Sequence, residues 1–108
     1  MSTERIIRLS RSVPEGKWTT YGTISEIVYG HRRGAQTVGS VIRAEGHVDS
    51  AHRTLRAGGK IAPEWRGVGG GEEECLRRLR RERIWDDSRD RARPDYFIDA
   101  DQLRRLER

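Results

Sequence analysis

The sequence is poor in the residues that build large apolar cores and in those that form disulfides. Of its 108 residues, 33% are hydrophobic and 6% aromatic, and it has one Phe, one Met and one Cys. So little apolar material predicts one small domain with a modest core. The lone Cys75 excludes an internal disulfide and fits a reducing compartment.

Long apolar runs are also absent. No stretch approaches the roughly 20 residues that span a membrane, and residues 1–12 lack the apolar centre of a signal peptide. These features predict a soluble cytoplasmic protein that does not bind membranes.

Charge is abundant by contrast. Charged residues make up 36% of the chain, with 22 Lys and Arg against 17 Asp and Glu, and the formal net charge is +5. A basic surface favours a polyanionic partner such as nucleic acid. The alternative is the solvated surface of an Arg-rich protein, because acidic residues are interspersed among the basic ones.

The centre of the chain predicts a helix-turn-helix. A helix at about 21–29, which Thr20 can cap, is followed by a glycine-bearing turn at 30–34 and a second helix at 35–44. In the second helix Ala35, Val38 and Ile42 form an apolar stripe, and Gly39 within it costs about 1 kcal/mol relative to Ala. Gly39 therefore indicates close packing or the close approach of a ligand. The opposite face suits a DNA groove and carries Gln36, Thr37, Ser40 and Arg43.

The remaining elements predict a mainly α fold with a small β-hairpin, a winged helix-turn-helix. We expect a winged-helix domain at 1–85 and a charged C-terminal extension at 86–108 with a short terminal helix. The first helix is predicted at 3–12, with Ile6, Leu9 and Val13 along one face. The other predicted elements are a hairpin at 53–62, a helix at 72–84, a charged linker after Trp85 and an apolar patch at 96–98 that docks on the domain.

Three motifs carry a family resemblance. Residues 13–22 read VPEGKWTTYG, residues 35–43 read AQTVGSVIR, and residues 50–53 read SAHR. They resemble the C-terminal DNA-binding domain of O6-alkylguanine-DNA alkyltransferases, and more closely the non-enzymatic alkyltransferase-like proteins. In that family the motifs run I/V-P-x-G-K-V-T-T-Y-G, A-R-A-V-G-x-A-x-R and P-C-H-R. The resemblance covers residues 3–85 and implies the fold of that domain.

The resemblance implies a protein that is not an enzyme. The Cys of P-C-H-R accepts the alkyl group in the family, and Ala51, which has no lone pair, stands in its place. His52 and Glu82 match the His and Glu of the relay that activates the thiolate, so they are interpreted as its remnant. Cys75 lies among leucines and acidic residues, which favours a packed side chain over a nucleophile. No cofactor is implied, and the three His residues lack metal-ligand spacing, with the lone Cys far from them.

The resemblance also assigns a DNA interface. Tyr21 matches the tyrosine that presses a phosphate to rotate the damaged nucleotide out of the stack; a buried aromatic residue at a helix start is the alternative. Gln36 stands where the family has an arginine that plugs the gap, and Arg43 matches a phosphate-contacting arginine. The predicted DNA-binding residues are Tyr21, Gln36, Thr37, Ser40 and Arg43, and the predicted lesion pocket is formed by Tyr21, Val48, Ala51, Arg53 and Trp65. Trp65 either stacks on the flipped base or covers the core.

Three departures from the family bear on lesion recognition. The segment between Arg43 and Ala51 is two residues shorter, the Asn-Pro hinge becomes Glu45-Gly46, and the plug is Gln36. The leading hypothesis is a monomer that binds alkylated double-stranded DNA by nucleotide flipping and flags it for excision-repair proteins. The alternative is a winged-helix DNA-binding or regulatory protein without lesion specificity. An enzyme with a different nucleophile ranks last.

Overall fold

Helices dominate the computed structural model, which describes residues 2–107. The predicted mainly α fold with a small antiparallel hairpin is confirmed. The helices are α1 (Ser2–Ser12), α2 (Tyr21–Tyr29), α3 (Ala35–Glu45), α4 (Glu72–Arg81) and α5 (Ala100–Leu106), and the strands are β1 (Thr19–Thr20), β2 (Thr54–Leu55), β3 (Trp85–Asp86) and β4 (Arg91–Ala92). None of the helices in this described range is long and apolar enough to cross a membrane.

The core collects one apolar stripe from each helix. On α1 the stripe predicted from 3.6-residue periodicity, Ile6 and Leu9 with Val13 just beyond the helix end, is at most 1% exposed. On α3 Val38 and Ile42 are buried as predicted, whereas Ala35 is only half-buried. Helices α1 and α2 contact each other, and each of them also contacts α3 and α5.

The turn between α2 and α3 is held by side-chain contacts. The Oγ1 atom of Thr20 accepts a hydrogen bond of 3.0 Å from the Thr23 N–H and so caps α2, as a threonine at this position favours. The Ser25 hydroxyl donates to the His31 carbonyl at 2.6 Å and accepts from the Gly34 N–H at 2.9 Å. A Cβ at Gly34 would lie 2.7 Å from the Ser25 Oγ, so this position needs glycine. The helix-turn-helix predicted from the sequence is therefore present, with a rigid turn.

For the hairpin predicted at 53–62, the predicted strand pairing is wrong and the predicted turn is present. Strand β2 pairs in parallel with β1, with Thr54 opposite Thr19, instead of forming a hairpin with the residues that follow it. A single antiparallel bridge joins Arg56 to Lys60 around glycines with φ of +82° and +80°. The strand is drawn to β1 because Thr54 and Leu55 are fully buried there.

The antiparallel hairpin lies instead at β3 and β4, where a charged linker was predicted. Trp85 pairs with Ala92 and both are buried, at 7% and 1% exposure. The Oδ1 atom of Asp86 accepts hydrogen bonds from the Ser88 N–H and hydroxyl at 3.0 and 2.7 Å, which shapes the turn. The predicted helix at 72–84 ends earlier, at Arg81, because Arg83 adopts a φ of +64°.

The C-terminal patch docks on the rest of the chain as predicted. The Ile98 N–H donates to the Trp18 carbonyl at 2.9 Å, and the rings of Trp18 and Phe97 lie 5.0 Å apart. In the terminal helix, predicted from the sequence and observed as α5, Leu103 is fully buried. Residues 86–107 thus share the core of the preceding chain; the division into a domain and an extension at residue 85 stays a prediction.

Candidate nucleic-acid interface

A cleft of about 730 Å³ opens between α3, the start of α2 and the loop before α4. Three of the predicted DNA-binding residues, Tyr21, Gln36 and Arg43, line it together. Ser40 lines a neighbouring cleft, and Thr37 is exposed on α3 and lines neither. The other residues of the first cleft are Thr20, Gly22, Arg32, Ala35, Gly39, Arg56, Ala57, Ala62, Pro63 and Glu64.

The floor of this cleft is made by Tyr21 and Gly39. A Cβ built on Gly39 would lie 3.7 Å from the Tyr21 ring, an ordinary contact, so packing alone does not require glycine there. Close approach of a ligand, the other reason considered for this glycine, stays a prediction. Burial raises the pKa of the Tyr21 hydroxyl above its ordinary value, so the phenol is neutral at physiological pH and can donate a hydrogen bond.

Positive charge predominates around the cleft. Its lining includes three arginines and a single carboxylate, that of Glu64. Arg32 pairs with Glu26 at 3.0 Å, but within residues 2–107 neither Arg43 nor Arg56 has a carboxylate within 4.0 Å. Guanidinium groups without a protein counter-ion beside an open cleft are suited to phosphate contacts.

Sequence reasoning missed Arg32 and Arg56 as lining residues. Arg32 belongs to the basic turn between the two helices, which is a signal that could have found it. Arg56 follows β2, and nothing in the local sequence predicts that it lines a cleft beside α3.

Three residues of the predicted lesion pocket lie away from the two clefts beside α3. Val48 and Ala51 are 2% and 4% exposed and belong to the core, so neither lines the two clefts beside α3. Arg53 faces away from both clefts, because its guanidinium binds Glu82 and the Val13 carbonyl. The open space was predicted beside Ala51, and in the structure it lies beside the surface formed by Tyr21 and Gly39.

Trp65 covers the core, which was one of its two predicted roles. It is 4% exposed, and a Cβ at Gly67 would overlap its indole ring. Its remaining edge lies in the neighbouring cleft of about 1040 Å³, together with Pro63 and Glu64, which also line the first cleft. The loop at 62–65 is therefore the wall between two clefts.

The Glu82 carboxylate joins two of the sequence motifs. Its Oε1 accepts hydrogen bonds of 2.9 Å from both the Gly16 N–H and the Arg53 Nε–H, and its Oε2 lies 2.5 Å from the His52 Nε2. Arg53 also donates to the Val13 carbonyl at 3.0 Å. The VPEG and AHR segments therefore meet at one buried carboxylate, which holds α4 against both.

The balance of forces on Glu82 favours its ionised form. Burial raises the pKa of the carboxyl, but hydrogen bonds from His52, Arg53 and the Gly16 N–H outweigh it and lower the pKa to about 2. The structure brings together the two residues predicted as a relay remnant, while the Nδ1 atom of His52 is buried and has no hydrogen-bond partner among residues 2–107. Arg53 and Gly16, which sequence reasoning did not connect to them, complete the network.

Cys75 lies near this network, although it is distant from His52 in the sequence. Its sulfur is 4.0 Å from the His52 carbonyl oxygen and the side chain is fully buried. Burial raises the pKa of the thiol to about 12, and this rise outweighs the lowering effect of Arg78. The sulfur is thus a protonated, packed group at physiological pH, as predicted.

No cluster of three or more potential metal-ligating side chains occurs in the part of the chain that the structure describes.

Comparison with known proteins gives a consistent result. Residues 1–84 match the family model described as the 6-O-methylguanine DNA methyltransferase DNA-binding domain. Among solved structures, the chain is similar to S. pombe Atl1, crystallised in complex with damaged DNA containing O6-carboxymethylguanine. The similarity has a TM-score of 0.68 and 27% identity and covers 90% of this chain and 94% of Atl1. No curated protein matches the sequence significantly. The chain therefore belongs to the family of the 6-O-methylguanine DNA methyltransferase DNA-binding domain, and within it to the alkyltransferase-like proteins.

Proposed function

We propose that this protein is a non-enzymatic DNA-binding protein that recognises O6-alkylguanine-type damage. It places α3 in a groove of double-stranded DNA, receives the flipped damaged nucleotide in the cleft beside Tyr21, and marks the site for excision-repair proteins. It acts as a cytoplasmic monomer and needs no cofactor.

The observation that carries the proposal is the composition of this cleft. Tyr21, Gln36 and Arg43, which match the nucleotide-rotating, plug and phosphate-contacting positions of the family, line one space. Its volume falls in the range of roughly 300–1,000 Å³ that is typical of small-molecule sites, so a single base fits. The unpaired guanidinium groups of Arg43 and Arg56 are available for the phosphates on either side of an extruded nucleotide.

The non-enzymatic part of the proposal is supported by the chemistry around position 51. Ala51 stands where the family's acceptor cysteine is found, and an alanine methyl group has no lone pair to attack an alkyl carbon. The nearby Cys75 thiol is fully buried, with a pKa of about 12. The similarity to Atl1 supports the same conclusion, since the alkyltransferase-like proteins are the non-enzymatic branch of the family.

Competition binding tests the proposal directly. We expect a duplex with one O6-methylguanine to bind at least tenfold more tightly than its undamaged twin, because only the damaged nucleotide gains contacts in the cleft. The measurement is fluorescence anisotropy with a labelled damaged duplex and unlabelled competitors at fixed salt. Mass spectrometry of the protein recovered from the mixture should show no methylated peptide.

Two outcomes would each contradict one part of the proposal. Equal affinity for the two duplexes would favour the alternative, a helix-turn-helix DNA-binding protein without lesion specificity, which the replacement of the plug arginine by Gln36 supports. A methylated peptide would show that a nucleophile is present after all.

The glycine on the cleft floor gives a second test. Gly39→Ala is expected to raise the free energy of unfolding by up to about 1 kcal/mol, since alanine is the better helix former and its Cβ meets the Tyr21 ring at an ordinary contact distance. The same methyl group occupies space on the floor of the cleft, so affinity for the damaged duplex should fall. Urea denaturation and anisotropy measure the two effects on one preparation. Unchanged damaged-DNA affinity in the stabilised variant would show that the ligand does not approach Gly39.

A further inference from the structure

A single carboxylate faces a cleft that is otherwise basic. Glu64 lines the cleft beside Tyr21 together with Arg32, Arg43 and Arg56. Among residues 2–107 no cation lies within 4.0 Å of its oxygens, so its charge is not neutralised by an ion pair within the protein. A carboxylate disfavours phosphate binding, so its presence at this surface has a cost for general DNA affinity.

The position of Glu64 limits which part of the DNA it can meet. It follows Pro63 in the loop that separates the two clefts, and it lines the same cleft as Tyr21 and Gly39. If the damaged base enters this cleft, the group on its O6 atom experiences the electrostatic field of this carboxylate as well as that of the arginines. The sign of the charge on that group then decides whether Glu64 repels it.

We propose that Glu64 sets the adduct preference of the cleft, lowering affinity for O6-alkyl groups that bear a carboxylate relative to uncharged ones. The inference rests on the proposed function, since it requires that the flipped nucleotide occupies this cleft. It differs from what the Atl1 complex would suggest, because the adduct in that crystal, O6-carboxymethylguanine, is itself a carboxylate.

The expected size of the effect follows from Coulomb's law. Two like charges at roughly 6–8 Å in a largely hydrated cleft repel enough to change affinity by about three- to tenfold. The effect should shrink as salt rises, because the cleft is open to solvent and its charges are screened. An uncharged O6-methyl group experiences no such repulsion.

The test is the ratio of dissociation constants for two duplexes that differ only in the adduct, O6-carboxymethylguanine over O6-methylguanine. Glu64→Gln should lower this ratio by about three- to tenfold at low salt. Glu73→Gln is the matched control, because Glu73 lines only the neighbouring cleft and its substitution removes the same charge. The two variants gain a similar general affinity for DNA, which cancels in the ratio. An undamaged duplex is measured in parallel.

The outcomes separate this inference from the function on which it rests. A lowered ratio in Glu64→Gln with an unchanged ratio in Glu73→Gln supports the proposal. Suppose that the protein clearly prefers damaged DNA, but Glu64→Gln leaves the ratio unchanged or both variants lower it equally. That result overturns the inference about Glu64 and keeps the proposed function. Equal wild-type affinity for damaged and undamaged duplexes overturns both.

Discussion

Replacing Glu82 with glutamine is expected to lower the free energy of unfolding by about 3 kcal/mol at neutral pH. The substitution keeps the shape of the side chain and removes the negative charge that binds His52, Arg53 and the Gly16 N–H. The Arg53 guanidinium is then half-buried without its carboxylate, and three segments of the chain lose their common partner. Urea denaturation of the wild type and the variant at pH 7 measures the difference.

The same group predicts an acid-dependent loss of stability. The folded-state pKa of Glu82 is about 2, below its ordinary value of 4.5. A lowered pKa contributes stability that is complete above the unfolded-state value and is lost as pH falls from about 5 towards 2. The shift corresponds to about 3 kcal/mol over that window. We therefore expect the wild type to lose stability more steeply than Glu82→Gln between pH 5 and pH 3.

Asp101→Asn is the matched control for both measurements. Asp101 is exposed and pairs with Arg104 within α5, so its neutralisation should change the unfolding free energy by less than about 0.5 kcal/mol. If Glu82→Gln is as stable as this control at pH 7 and follows the same pH profile as the wild type, the carboxylate does not hold the three segments together.

Removing the positive charge of Arg43 should weaken binding to every duplex, damaged or intact. Arg43 has no carboxylate partner in the described chain and lines both clefts beside α3. We expect Arg43→Ala to lower affinity about 10- to 100-fold, because a charge-assisted contact to phosphate is lost. The slope of log affinity against log salt should flatten by about one. Anisotropy titrations at several salt concentrations measure both quantities.

Two comparison variants show whether the Arg43 effect belongs to the cleft. Arg105→Ala removes the same charge from the exposed face of α5 and should leave affinity nearly unchanged. Gln36→Ala should lose affinity mainly for damaged duplexes, where the amide would fill the gap left by the flipped base. If Gln36→Ala loses equal affinity for damaged and intact DNA, the plug assignment is contradicted. If Arg105→Ala loses as much affinity as Arg43→Ala, a contact localised at the cleft is contradicted.

The elements with a strong local signal were predicted correctly. The periodicity of α1, the Thr20 cap and the glycine-bearing turn between α2 and α3 depend on residues near one another in the chain, so the sequence encodes them directly. The hairpin shows the opposite case. Residues 53–62 have hairpin composition, but Thr54 and Leu55 gain more from burial beside β1 than from pairing with their sequence neighbours.

At the candidate site, too, some features follow from the local sequence and others only from the tertiary structure. The α3 side chains that line it follow from helical periodicity, which places Gln36 and Arg43 outward. The predicted lesion pocket includes Val48 and Ala51, which the structure buries in the core. The motif resemblance located their chemical position without showing what covers them, so their role stays a prediction. In the structure Trp65 closes the core, and the open space lies beside Gly39.

By itself the sequence determined the helical scaffold, the polar outer face of α3 with Arg43, the absence of a sulfur at position 51 and the family to which the chain belongs. Each of these depends on residue identity and short-range spacing. Only the tertiary structure decided that Glu82 joins the VPEG and AHR segments and that Glu64 faces the arginines of the cleft. These are contacts between residues far apart in the chain, and they exist only because burial of the shared core brings their segments together.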